Sequence, residues 1–347
     1  MRLGMILSHT DDFEETADLL QDYEKAGLQL AAVGESYSFD AVSRLGFLAA
    51  RTKTVEIASA ILQVYSRTPA LLAMTAAGLD HVSNGRFTLG IGASGPQVVE
   101  GFHGVPYDAP LGRSREVVEV CRKVWRREPL EHEGKHYRIP LPPEQGTGLG
   151  KPLKLINHPV RERIPISIAA LGPANVALVA ELAESWQPLF FHPQHAGTAW
   201  GEALDKGFAK RDPELGPLDI MLQLSFAVAE PTEEVLRPIR EQLALYIGGM
   251  GARDKNFYNQ LARRYGYDSE ATEIQELYLA GRKQDAAKAV PDDLVRAVSL
   301  VGTEEDIADQ VKEFAAAGVT TLLLKPLAVD PSRRVSDVAT LSTILRR

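Results

Sequence analysis

Few side chains in this sequence stand where acid–base chemistry could be done, and those few are set among glycines and alanines. Its apolar β-type runs end in short stretches of small or polar residues. These are Ser8-His9, Glu35-Ser36-Tyr37, Ser59-Ala60-Ile61-Leu62-Gln63, Gly92-Ala93-Ser94-Gly95, Ala169-Ala170-Leu171-Gly172, Phe190-Phe191-His192 and Lys325-Pro326. Glu35 and His9 are the obvious titratable groups at these strand ends, and Glu100 lies one helical turn beyond the glycine-rich loop. Glu35 and Glu100 are therefore the candidates for catalytic proton transfer or polar contact. A salt bridge, or a charge at a helix N-terminus, would explain either residue as well. A site this poor in acids and bases suits an enzyme whose cofactor carries the difficult chemistry while the protein orients it.

Two of the strand ends have the form that backbone recognition of an anion requires. In Arg86-Phe87-Thr88-Leu89-Gly90-Ile91-Gly92-Ala93-Ser94-Gly95-Pro96-Gln97, an apolar run breaks into small residues whose N–H groups can approach a ligand closely. Ile164 to Pro173 repeats the pattern, and Pro173 is suited to open a helix whose N-terminus favours a phosphate. Other chemistries lack their residues. There is no paired CxxC, GxSxG or Walker A pattern. His132 to His136 spells HExxH, but Gly134 and its β-type neighbours argue against one helix presenting both histidines. Gly90 to Gly95 has GxGxxG spacing, a weak signal on its own. His132 with His136, and His192 with His195, read as loop or hairpin residues, and no metal site is expected.

The elements that must hold these tips alternate strand and helix almost throughout, which indicates a parallel α/β fold. Strands are predicted at about 2–8, 29–34, 55–62, 87–91, 166–169, 185–188, 219–229 and 319–325. Helices fall at about 13–26, 40–51, 69–83, 113–126, 173–183 and 303–317, the last opened by Thr303 and Asp306 at capping-box spacing. Eight strands of this kind predict a (β/α)8 TIM barrel, with a doubly wound sheet as the rival. The 347 residues read as one domain, 1–347, with insertions after strands 4 and 7 at about 129–163 and 233–296. A net charge of −8 argues against nucleic acid as a partner, and no apolar run approaches the length of a membrane span. Cys121 is the only cysteine, which fits a packing role in a reducing cytoplasm.

The chain resembles the luciferase-like superfamily, and within it the branch of oxidoreductases using the deazaflavin coenzyme F420. The resemblance runs over essentially the whole length. It is carried by Glu35 to Asp40, Leu45 to Thr52, Ser66-Arg67-Thr68-Pro69-Ala70, Leu79 to Phe87, Gly92 to Gly101, Tyr246 to Gly251 and Val301-Gly302-Thr303. It implies a barrel binding the deazaflavin ring at the strand C-termini, with a non-proline cis peptide at Ala60–Ile61 behind the ring. Carried over by position, Ser36, Ser59, Ala60, Ile61, Gln63, Gly92, Ala93, Ser94, Gly95, Ala169, Ala170, Leu171 and Gly172 would bind cofactor. Hydride transfer to a small organic substrate is the activity implied, with an FMN-dependent monooxygenase and a non-catalytic deazaflavin-binding protein as alternatives. Sugar-phosphate dehydrogenases of the branch carry a His where this chain has Ser36, which speaks against that substrate. Substrate selectivity is expected from 129–163 and 233–296, where Tyr246, Met250, Phe257 and Tyr258 could line a pocket or pack in the core. A homodimer is also implied, with the helices between Gly85 and Trp125 as the contact surface.

Overall fold

The computed structural model describes residues 1–7, 13–251 and 253–347, so the predicted tip Ser8-His9 lies outside the described residues. Eight parallel strands form a closed barrel: β1 (Arg2–Leu7), β2 (Leu30–Val33), β3 (Glu56–Ser59), β4 (Phe87–Gly92), β5 (Ile166–Ala169), β6 (Ser185–Gln187), β7 (Asp219–Val228) and β8 (Thr321–Pro326). Each pairs with the next, and β8 returns to β1 through Met5 and Leu324, which leaves the barrel no open edge. The fold is thus the (β/α)8 barrel.

Strand alternation decides which residues face the centre. Phe87, Leu89 and Ile91 of β4 pack outward into the large core beneath the helices, while Leu30, Ala32, Ala58, Met221 and Leu323 meet inside the barrel. The interior is narrow. A Cβ at Gly90 would collide with the Ser59 carbonyl oxygen, so only glycine lets β3 and β4 pair here. Charged side chains close the N-terminal end, where Arg2 bridges Glu56 and Asp219 at 2.8 and 2.5 Å. Glu184 accepts a hydrogen bond from the Ile166 N–H and pairs with Arg122 and Arg163, so it clips β5 and β6 at the end away from the mouth.

Several elements differ from the sequence reading. Ser299–Gly302 is a strand, added in parallel to the upper half of β7 through Ser225 and Ser299. Leu62–Gln63 forms a short ladder with β4. The helix expected from Arg113 begins at Pro110, which occupies its first turn. Residues 129–163 carry the expected hairpin, His132–Glu133 with Arg138–Ile139, and the described residues of 233–297 hold five helices. The Thr303–Asp306 capping box is present in both directions.

Candidate active site at the barrel mouth

The β2 tip is fixed by an ion pair. Arg67 donates to both Glu35 carboxylate oxygens at 2.6 and 2.9 Å and to Asp40 at 2.8 Å. The same Glu35 carboxylate accepts from the Ala41 N–H, and Asp40 caps the following helix by accepting from Ser43. Glu35 is therefore spent on shaping the loop that carries Ser36 and Tyr37. Of the two roles open for it in the sequence, the salt bridge is present. Glu100 is exposed and accepts from the Tyr107 N–H at 3.1 Å.

At the β3 tip the peptide bond between Ala60 and Ile61 is cis, at the position the resemblance implied. Ala60 and Ile61 are half-exposed at the mouth, and Ile61 lies over Gly92, where a Cβ would come within 2.9 Å of its Cδ1. Ser59 does not fit its expected ligand role through its side chain. Its hydroxyl donates to the Gly90 carbonyl and accepts from the Gly90 N–H, both at 2.8 Å, so it is consumed between strands. Gln63 is different: it is 1% exposed, yet neither its amide nitrogen nor its amide oxygen has a partner. Buried polar groups are nearly always paired, so this unpaired amide is an exception within the fold.

Two glycine-capped turns follow. After β4, Ser94 takes a left-handed conformation with φ of 57°, and Gly95 caps the one-turn helix Pro96–Val99. After β5, Gly172 caps the helix Pro173–Leu182. Neither cap uses a side chain, so the first N–H groups of both turns are left without one. The β5 turn is held from behind by residues the sequence reading missed. Trp186 donates to the Ala170 carbonyl at 2.9 Å, and Trp200 to the Leu171 carbonyl at 2.8 Å. Those carbonyls are thereby committed to the scaffold.

The β6 tip also corrects an expectation. His192 is buried rather than a surface residue, and burial, with His195 beside it, pushes its pKa down to about 4. Phe190 just before it packs edge-on against Tyr246 and Tyr258, with centroids at 5.2 and 6.0 Å. Tyr246 and Tyr258 are therefore largely packed, whereas Phe257 and Met250 remain exposed, and Phe257 lies near Gly172. On the other side of the mouth, Tyr37 and Phe102 form an exposed aromatic pair at 6.3 Å. No cluster of three potential metal ligands occurs among the described residues. Among them, no helix is long and apolar enough to cross a membrane. Cys121 is buried and its thiol is pushed up to about 12 by burial, which fits packing rather than reactivity.

A closed parallel barrel with its small-residue strand tips gathered at one end defines an α/β-barrel enzyme scaffold. The chain belongs to the luciferase-like monooxygenase family, whose model matches residues 1–321. It is 39% identical to a Mycobacterium tuberculosis protein provisionally named as a coenzyme F420-dependent oxidoreductase, over 98% of this chain and 99% of that one. It is 26% identical to a 5,10-methylenetetrahydromethanopterin reductase of Archaeoglobus fulgidus, over 90% of each chain. Among solved structures, the coenzyme F420-dependent tetrahydromethanopterin reductase of Methanopyrus kandleri superposes with a TM-score of 0.79. At 21% identity, with 98% of this chain and 97% of that one covered, that likeness speaks to the fold.

Proposed function

We propose that this protein is an oxidoreductase that moves a hydride between a deazaflavin of the coenzyme F420 type and a small organic substrate. The observation that carries the reading is the unpartnered Gln63 amide beside the half-exposed Ala60–Ile61 peptide. A buried group offering both a donor and an acceptor matches the pyrimidine-dione edge of a deazaflavin, which presents N–H between two carbonyls. The turns capped by Gly95 and Gly172 fit the phosphate of such a coenzyme, because their first N–H groups meet no capping side chain. The name of the 39% identical relative supports the same cofactor.

When bound, a deazaflavin supplies a ring carbon that gives or accepts a hydride. The residues of this chain hold and orient. Ala60, Ile61 and Gly92 form an apolar wall, Gln63 reads the ring edge, and the glycine-capped turns take the phosphate. Arg67 and Glu35 keep the Ser36–Tyr37 loop in place over the mouth. With Glu35 paired to Arg67, rate enhancement comes mainly from holding the reacting atoms in contact.

The test is turnover of the reduced deazaflavin with a panel of alcohols, aldehydes and enones, followed by absorbance without oxygen. The expected result is substrate-dependent oxidation of the deazaflavin with no oxygen uptake when reduced FMN is offered instead. Oxygen consumption with reduced FMN, and none of the deazaflavin reaction, would move the chain to the monooxygenase chemistry of its family. Tight deazaflavin binding with no turnover across the panel would leave a binding protein.

A further inference from the structure

We infer that Lys325, with Gln223 and Ser225 beside it, forms an oxyanion-recognition site on the β7–β8 wall of the mouth that selects substrates bearing a carboxylate. The inference rests on the reading of the mouth as a substrate site. Leu323 points into the barrel, and Lys325, two residues on along β8, shares its face one layer closer to the mouth. Its neighbour in register is Ser225 of β7, and Gln223 precedes Ser225 on the same inward face, above Met221. Flanking residues Leu222, Leu224 and Leu324 are fully buried outward, whereas Gln223 and Ser225 are half-exposed and Lys325 is exposed. None of these three side chains has a hydrogen bond or ion pair among the described residues.

An ammonium, an amide and a hydroxyl on one wall, unspent among the described residues, make a donor set for an oxyanion. Such an anion could come from the substrate or from the coenzyme's own acidic groups. The barrel order separates them: β8 lies across the mouth from β4 and β5, whose turns face the coenzyme phosphate in the reading above. Lys325 therefore faces the pole away from those turns. The exposed aromatic pair Tyr37 and Phe102 offers apolar surface at the strand tips. The substrate class is thus an apolar compound, planar or ring-containing, with one carboxylate.

Binding of cinnamate and of the neutral cinnamamide to the deazaflavin-loaded and deazaflavin-free chain, native and Lys325→Met, tests this by calorimetry. The expected result is a native preference for cinnamate of about tenfold or more, the scale of a charge-assisted hydrogen bond. Lys325→Met should remove that preference, Lys325→Arg should keep most of it, and deazaflavin affinity should stay within about twofold. A native chain with no preference for the anion overturns the inference. So does a Lys325→Met chain that keeps the preference. A Lys325→Met loss confined to deazaflavin affinity would assign the lysine to the coenzyme and overturn the substrate role. If the native chain fails to bind deazaflavin but prefers cinnamate, the proposed function fails while this site stands.

Discussion

Gln63→Met separates what the mouth costs the free protein from what it gains with a cofactor. The native side chain is 1% exposed and buries an amide with no partner for either polar atom. Leaving a buried donor or acceptor unmade costs about 1–3 kcal/mol, and methionine keeps the unbranched length without the amide. Allowing for imperfect packing of the thioether, the cofactor-free variant should be about 2 kcal/mol more stable than the native chain. With an unfolding entropy near 2 cal/mol/K per residue over 347 residues, that corresponds to a midpoint about 3 °C higher. The same change removes the groups proposed to read the ring edge, so deazaflavin affinity should fall about tenfold or more. Differential scanning calorimetry without cofactor and fluorescence titration with deazaflavin give the two readouts on one preparation. An unchanged or lower midpoint would show that the amide is satisfied within the protein. Undiminished deazaflavin affinity would show that Gln63 does not serve the cofactor.

Three further outcomes follow from particular contacts. Arg67→Ala leaves the Glu35 carboxylate buried without its bidentate partner, and should cost about 3 kcal/mol together with a loss of cofactor affinity. A stability loss under 1 kcal/mol in urea unfolding would contradict that account of the Ser36–Tyr37 loop. Glu116 is 8% exposed and accepts from the N–H groups of Lys135, His136 and Tyr137, which anchors the hairpin on the helix Pro110–Trp125. Burial alone would push its pKa up, but the hydrogen bonds from Tyr137 and His136 outweigh it and hold the group below its ordinary value. A depressed folded-state pKa contributes stability above the unfolded value near 4.5 that is lost as pH falls through the folded one. Glu116→Gln should flatten that acid limb in unfolding measured against pH, and an unchanged limb would contradict it. The homodimer implied by the family resemblance should survive size-exclusion chromatography with light scattering. Leu111→Glu, at an exposed apolar position on the helix Pro110–Trp125, should yield monomer if that face is the contact. A native monomer would refute the dimer itself.

Much of the barrel was legible because strand tips and helix starts are local events. Apolar runs ending in glycine, Asp40, Thr68 and Thr303 as caps, and Pro at first helical turns all act within a few residues. The strand Ser299–Gly302 was not legible, since four residues become a strand only because β7 extends far enough to pair with them. The fates of Glu35 and Ser59 were hidden for a similar reason. Their partners Arg67 and Gly90 lie 32 and 31 residues away, and nothing in the local pattern announces the contact. The commitment of the Ala170 and Leu171 carbonyls to Trp186 and Trp200 is equally non-local. Lys325 is the instructive case, because the two-residue strand period already places it on the inward face of β8. What the sequence could not show is that no acidic partner among the described residues meets it there.

The central claim is that the mouth holds a deazaflavin, and the most direct measurement is side-by-side calorimetric titration of the native chain with the deazaflavin coenzyme and with FMN. The expected result is saturable, one-to-one micromolar binding of the deazaflavin and much weaker binding of FMN. Tight FMN binding with none of the deazaflavin would contradict the claim, as would the absence of binding by either.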